Sequence, residues 1–276
     1  MNAQNKLAFQ NSYQPFVIVS LARTGSTYLE SLISSHPDIL TFREIFGVRK
    51  SFPGYRGLVY FYTLFHKPNV HHAFKVLFHK NFNLIRALIF RSPVQTFLST
   101  LLFGSYPSAI KGVGFKYHLY HGTRLPELKE YLRQHKEIKI VHLIRKNYLH
   151  LLVSEKLAQA SSQWKLRNKT MNKARDIRFF LKKAECENTF LQREKQEKDA
   201  EALFPGHDIL IINYEDLVHN QEWTLDRVQE FLGVQKRHLS SPLKKQRTRR
   251  LSEVIENYES LKHSFKGTRW SVFFNE

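Results

Sequence analysis

The stretch FVIVSLARTGSTYLESLISSHPDI, which begins at Phe16, constrains the fold of this chain most strongly. It passes from an apolar run through small polar residues into an amphipathic segment, the pattern of a strand, a tight loop and a helix. Backbone amides in such a loop, and at the N-terminus of the helix that follows, point towards a bound anion. The pattern therefore predicts an anion site at the end of a buried strand, although an ordinary strand-to-helix turn also fits the loop alone.

The loop SLARTGST differs from an ATP- or GTP-binding loop where charge matters most. Against G-x-x-x-x-G-K-[ST], Gly25 and Thr27 match, whereas Ser20 replaces the first glycine and Ser26 replaces the lysine. Arg23 supplies instead a forked donor that suits a tetrahedral oxyanion. The loop thus predicts an anionic ligand other than a magnesium-bound nucleoside triphosphate.

A second candidate anion site lies in HLIRKNYLHLLVSEKLA, where a strand ends at Arg145 and Asn147 is a plausible N-cap for a helix that carries Ser154. In an NTPase a strand of this kind ends in an aspartate that helps to hold Mg²⁺, so an arginine here favours a second anionic group. If the strands that end at Ser20 and Arg145 are neighbours, both sites flank one crevice. Two separated anion sites suit a nucleotide phosphorylated at both ends of its ribose. The alternative is that Arg145 pairs with a surface carboxylate and Ser154 bonds its own helix backbone.

Alternation of short Val- and Ile-rich runs with helical segments predicts an α/β fold with a central parallel sheet, in a single domain over residues 1–276. The predicted strands are Phe16–Ser20, Val113–Leu119, Ile138–Ile144 and Ile209–Tyr214. The predicted helices are Ser26–Ser35, Pro93–Phe103, Pro126–His135, Tyr148–Ser161, Thr170–Leu203, Glu222–Leu232 and Leu251–Phe265.

The charge balance is strongly basic, with 43 Lys and Arg against 24 Asp and Glu, a formal net charge of +19. Such an excess suggests nucleic acid, a membrane surface or a polyanionic ligand as partner, although a solvated basic surface explains most of it equally well. The dense run KKQRTRR, Lys244 to Arg250, either closes over a nucleotide or forms a solvated turn.

Other sequence features limit the cellular compartment and the kind of chemistry that fit this chain. The single cysteine, Cys186, excludes an intrachain disulfide and fits a reducing compartment. The N-terminus has no long apolar region and no window approaches 18 apolar residues, which predicts a cytoplasmic protein with no integral membrane segment. The histidines show no metal-ligand spacing, so no metal is predicted.

Together the two motifs resemble the PAPS-dependent sulfotransferases (PAPS is 3′-phosphoadenosine 5′-phosphosulfate). The similarity is closer to the bacterial carbohydrate-type branch, whose members sulfate sugars or glycolipids. VGFKYHLY at 113–120 and LIINYEDL at 210–217 are further matches. The resemblance implies a P-loop-like three-layer α/β/α fold, PAPS as co-substrate without a metal, and a carbohydrate or lipid-linked sugar as acceptor.

The resemblance also implies roles for individual residues. The loop residues Arg23, Thr24, Gly25, Ser26 and Thr27 would bind the 5′-phosphosulfate, and Arg145 and Ser154 the 3′-phosphate. The arginine-to-serine spacing is nine residues here and often eight in the family. Lys146 is therefore an alternative to Arg145.

Sulfuryl transfer to a hydroxyl needs a general base and fixed donors for the leaving phosphate. Glu44 aligns with the glutamate that looks like the base of the carbohydrate-type branch, although a salt bridge with Arg43 or Arg49 is the plain alternative. Lys116 could stabilise the transferring group or orient Glu44. The rivals that stay open are Lys75 for this lysine and His118 and His121 for the base.

The predicted function is thus a sulfotransferase that moves a sulfuryl group from PAPS to a carbohydrate or glycolipid hydroxyl by in-line displacement. The alternative is a kinase-like phosphotransferase on a P-loop fold. A nucleic-acid-binding protein is a third reading, suggested by charge alone and without a recognisable binding motif. Peripheral contact with a membrane is compatible with the charge, and the sequence does not indicate an oligomeric state.

Overall fold

A computed structural model gives the architecture around the loop. It describes residues 13–42, 44, 98, 102–119, 126–164, 166–167, 173–244 and 249–275. Five parallel strands form the central sheet, in the order β2-β3-β1-β4-β6. These strands are β1 (Gln14–Ser20), β2 (Ile39–Thr41), β3 (Gly112–His118), β4 (Lys139–Ile144) and β6 (Ile209–Asn213). A short antiparallel pair joins β5 (Leu166–Arg167) to β7 (Leu243–Lys244).

Strand β1 occupies the middle of the sheet, where its side chains from Pro15 to Ser20 are buried. Ser20, its last residue, lies opposite His118 of β3 on one side and Leu143 of β4 on the other. The carboxyl ends of three strands therefore meet at the loop that follows β1. This is the edge of an open α/β sheet at which ligands bind.

Helices connect and cover the strands. They are α1 (Ser26–Ile33), α2 (Pro126–Gln134), α3 (Tyr148–Ser161), α4 (Lys183–Glu201), α5 (Tyr214–His219), α6 (Gln221–Leu232), α7 (Leu251–Val254) and α8 (Tyr258–Ser264), followed by a 3₁₀ turn at Ser271–Phe274. Asn147 caps α3 as expected, because its side chain accepts a hydrogen bond of 3.1 Å from the amide of His150.

Alternate residues of β1 face two separate cores. Phe16 and Ile18 pack with Leu29 of α1, and Val17 and Val19 share a core with Leu128 of α2. Helical layers thus cover both faces of the sheet, and a third core lies between α3, α4 and the C-terminal helices. The prediction of a layered α/β fold with a central parallel sheet is confirmed.

Some element boundaries differ from the predictions. The helix expected over Thr170–Leu203 begins only at Lys183, and residues 173–182 form turns and extended chain. The helix expected over Leu251–Phe265 divides in two, because Ile255 forms a parallel bridge with Phe179. Asn257 secures this break by bonding the backbone of Leu181 at both its amide and its carbonyl.

Other parts of the chain were missed or cannot be compared. Strand β2 and helix α5 were not predicted. Most of the predicted helix Pro93–Phe103 lies outside the described residues, which include positions 98, 102 and 103 of it. Within the described ranges, no helix has the length and apolarity needed to cross a membrane.

Candidate active site

The loop between β1 and α1 has an unusual backbone. Arg23 and Gly25 both adopt left-handed conformations, with φ of 67° and 91°. Gly25 is required for two reasons: its φ favours glycine, and an added Cβ would lie 2.5 Å from the ring of Tyr214. Thr24 closes the turn by donating its hydroxyl to the carbonyl of Leu21 at 2.9 Å. Turns of this kind direct backbone amides to one side and form a concave anion site.

Lys116 and Glu44 meet at the end of this loop. Lys116 lies on β3 with its side chain buried, and its Nζ donates to Thr27 Oγ1 at 2.9 Å. The same ammonium lies 3.3 Å from Glu44 Oε2. A carboxylate, an ammonium and a loop hydroxyl thus converge at one point, and Lys116 is placed where it can orient Glu44.

His118 contacts the other oxygen of the same carboxylate. Its Nε2 lies 3.5 Å from Glu44 Oε1, and its Nδ1 lies 3.2 Å from Ser20 Oγ. The rival residues Lys75 and His121, and the arginines Arg43 and Arg49, lie outside the described residues. The Glu44 carboxylate thus has Lys116 on one oxygen and His118 on the other. The imidazole of His118 is a group that can exchange a proton with this carboxylate.

Arg23 reaches away from the loop to helix α3. Its Nε and Nη2 both donate to Ser154 Oγ, at 3.1 and 3.0 Å, and its Nη1 donates to the carbonyl of Trp164 at 3.1 Å. The guanidinium carbon lies 5.6 Å from the centre of the Trp164 ring. Burial lowers the pKa of Arg23, whereas the negative charge of Glu155 and the nearby Tyr214 raise it.

Arg145 lies behind the loop, at the end of β4. It is buried, it donates from Nη1 to the carbonyl of Arg23 at 3.3 Å, and it stacks 4.3 Å from the ring centre of Tyr214. Its Nη2 lies 3.3 Å from His150 Nδ1. The structure therefore places Arg23 in contact with Ser154, and Arg145 in contact with the backbone of Arg23. The alternative cation, Lys146, is exposed.

Part of the basic run KKQRTRR has a structural role. Arg249 donates to the carbonyls of Ile177 and Glu253, so it holds the start of α7 against the preceding segment. Residues 245–248 lie outside the described residues.

Two site residues, Tyr214 and Trp164, were missed by sequence reasoning. Tyr214 had a usable signal, because it directly follows a strand that neighbours the strand of Arg145, and parallel neighbours end at the same edge. Trp164 follows α3 in an irregular segment, where no periodicity marks its position.

The crevice can bind an anion and hold a carboxylate beside it. Its donors are the loop amides, Lys116, Arg23 and Arg145, and its candidate proton acceptors are Glu44 and His118. Among the residues that the structure describes, no group of three or more His, Cys, Asp and Glu side chains could hold a metal ion.

Comparison with known proteins identifies the family. The chain is 25% identical over 269 residues to nodulation protein H of Rhizobium tropici, covering 95% of this chain and 94% of the relative. It is also 25% identical to nodulation protein H of Rhizobium meliloti (strain 1021), covering 95% of each chain. A solved structure of a sulfotransferase from Alicyclobacillus acidocaldarius also matches, with 15% identity, 91% of each chain covered and a TM-score of 0.44. The model of the sulfotransferase family matches residues 15–238, and the chain belongs to that family.

Proposed function

We propose that this enzyme transfers the sulfuryl group of PAPS to a hydroxyl of a carbohydrate or glycolipid by in-line displacement, with Glu44 as general base. The observation that carries the proposal is the convergence of Glu44, Lys116 and Thr27 at the mouth of the anion loop. In this step the acceptor oxygen forms a bond to sulfur, the bond from sulfur to the phosphate oxygen breaks, and 3′,5′-ADP leaves.

Glu44 takes the proton of the attacking hydroxyl. The ammonium of Lys116 lies 3.3 Å from Glu44 Oε2 and so holds the carboxylate at the mouth of the anion loop. His118, on the other carboxylate oxygen, is the second candidate for this role. Lys116 also reaches the loop, so it can stabilise the sulfuryl oxygens as charge shifts towards the leaving phosphate.

The remaining charged residues would hold the two ends of the nucleotide. The amides of Arg23 to Thr27 would bind the 5′-phosphosulfate, as the loop geometry supports. Ser154, Arg23 and Arg145 would bind the 3′-phosphate, since these side chains line the adjoining part of the crevice. The acceptor class rests on the similarity of the motifs to the carbohydrate-type branch.

Glu44→Gln tests the base. A positioned base contributes about 10²–10⁴-fold, so we expect kcat to fall by at least about 100-fold. Affinity for 3′,5′-ADP, measured by calorimetry, should stay near the wild-type value because the amide keeps the shape of the side chain. Retained turnover in this variant would exclude Glu44 as base, and a parallel His118→Asn variant shows whether the imidazole is the base instead.

Ligand choice tests the function itself. Calorimetry with 3′,5′-ADP, with Mg-ATP and with a random oligonucleotide separates a sulfotransferase from a kinase-like enzyme and from a nucleic-acid-binding protein. Binding of 3′,5′-ADP without Mg²⁺ is expected, and preference for Mg-ATP would contradict the proposal. A screen of sugars and glycolipids with labelled PAPS then identifies the acceptor.

A further inference from the structure

Helices α3 and α4 are joined by an ion pair directly beside the anion crevice. Glu155 of α3 follows Ser154, the residue that Arg23 contacts. Arg193 of α4 approaches Glu155 from the other side, with 2.9 Å between Nη2 and Oε2. The pair has no part in the transfer chemistry described above.

Glu155 is out of place beside a site for anions. Its negative charge reaches Arg23, where it raises the pKa that burial lowers. An uncompensated carboxylate at this position would attract the Arg23 guanidinium and repel an incoming phosphate.

Arg193 is well placed to remove this conflict. Only 12% of its side chain is exposed, and its Nη1 donates to the neutral amide oxygen of Gln196 at 3.2 Å. Its positive charge is therefore little screened by water and is directed at Glu155, whose side chain is 32% exposed.

We propose that Arg193 is a positioning residue for phosphate binding, which acts by neutralising Glu155 so that Arg23 stays available to the anionic co-substrate. The inference rests on the proposed function, because it assigns Arg23 to a phosphate. If the ion pair only held the two helices together, removing Glu155 as well as Arg193 would not restore phosphate binding. If Arg193 acts by neutralising Glu155, removing both side chains should restore it.

Three variants separate these roles: Arg193→Met, Glu155→Gln and the double variant. Dissociation constants for 3′,5′-ADP and for inorganic pyrophosphate are measured by calorimetry at fixed ionic strength. We expect Arg193→Met to weaken binding about tenfold and Glu155→Gln to tighten it about threefold, magnitudes typical of single charges near a binding site. The double variant should return to within about twofold of the wild-type affinity.

A second ion pair on the same two helices provides the matched control. Lys156 Nζ lies 2.6 Å from Glu185 Oε1, and both side chains are partly exposed. Lys156→Met and Glu185→Gln remove a comparable α3–α4 contact without changing Glu155. Neither control variant should alter the affinity for 3′,5′-ADP or for pyrophosphate. Thermal denaturation is used to check that every variant is folded.

A double variant that binds as weakly as Arg193→Met would overturn the inference, because the arginine would then act through packing alone. If Arg193→Met does not fold, Glu155→Gln decides: tighter binding supports the inference, and equal or weaker binding refutes it. A wild-type enzyme that binds pyrophosphate but not 3′,5′-ADP refutes the proposed function, and the variants are then compared with pyrophosphate. Failure to bind either anion refutes both.

Discussion

At the scale of single residues, the anion loop depends on one close approach. Gly25 lies against the ring of Tyr214, and that ring in turn stacks on Arg145. The glycine therefore allows an aromatic side chain from one strand end to reach an arginine on its neighbour. This contact ties the loop to the second half of the crevice.

Gly25→Ala should consequently lower stability more than an ordinary glycine substitution. Gly206 is the matched control, since it has a φ of 76° and open space around the position of a Cβ. Backbone strain alone should cost Gly206→Ala about 1–2 kcal/mol. Strain together with displacement of Tyr214 should cost Gly25→Ala about 3 kcal/mol or more.

Urea unfolding of both variants measures the two free energies. Equal losses would mean that the Tyr214 ring moves aside freely, and the loop would then not depend on this contact.

The sequence predicted most of the backbone structure of the anion loop but not the contacts that its side chains make. The pattern around Gly25 predicts the strand, the turn and the start of α1, because periodicity and turn chemistry are local properties. The contact of Arg23 with Ser154 depends on how far a long side chain reaches across two elements. No local pattern encodes that distance, so the contact between Arg23 and Ser154 could not be predicted from the sequence.

At the scale of elements, helix α4 shows how polar contacts can hold a helix that lacks a clear apolar face. Glu185 and Arg193 pair with α3, and Glu194 accepts from Arg269 and from the indole of Trp270. A fifth contact is buried: Glu197 Oε2 lies 3.2 Å from His142 Nε2 on β4. Weak amphipathicity was visible in the sequence, but the five partners come from three distant segments and were not predictable.

The buried pair should matter far more than an exposed one. His142→Leu removes the polar group nearest to the buried Glu197 carboxylate, which should cost about 1–3 kcal/mol of unfolding free energy. The double variant His142→Leu/Glu197→Leu should recover most of this loss, because no charge then remains buried. Glu187→Gln, which removes the more exposed pair with Lys183 on the same helix, should change stability by less than about 0.5 kcal/mol.

Chemical denaturation with a double-mutant cycle measures these differences. Additive losses at positions 142 and 197 would show that the two side chains do not stabilise each other.

At the scale of the whole molecule, the net charge of +19 and the defined crevice make different predictions about ligands. The net charge attracts any polyanion over a broad surface, whereas the crevice offers directed donors to a small ligand. The net charge can be counted from the sequence. Which of the charged residues gather at one edge of the sheet could be learned only from the strand order.

Salt separates the two effects. Binding of a random oligonucleotide should fall steeply as salt is raised, because such binding is driven by counterion release. Binding of 3′,5′-ADP should persist at salt concentrations where the oligonucleotide no longer binds, since its hydrogen bonds lie partly out of water. Fluorescence anisotropy and calorimetry over a salt series measure both, and salt-resistant oligonucleotide binding would indicate a nucleic-acid partner.

The central position of β1 has a consequence for synthesis in the cell. Its hydrogen-bonding neighbours are β3 and β4, which the ribosome delivers only after about a hundred further residues, at roughly 5–20 residues per second. For several seconds the nascent chain therefore carries an apolar β1 before either of its two neighbours in the sheet, β3 and β4, has been made. Chaperone demand should therefore peak before residue 144 emerges, and translation pauses upstream of that point should be the ones that most increase misfolding.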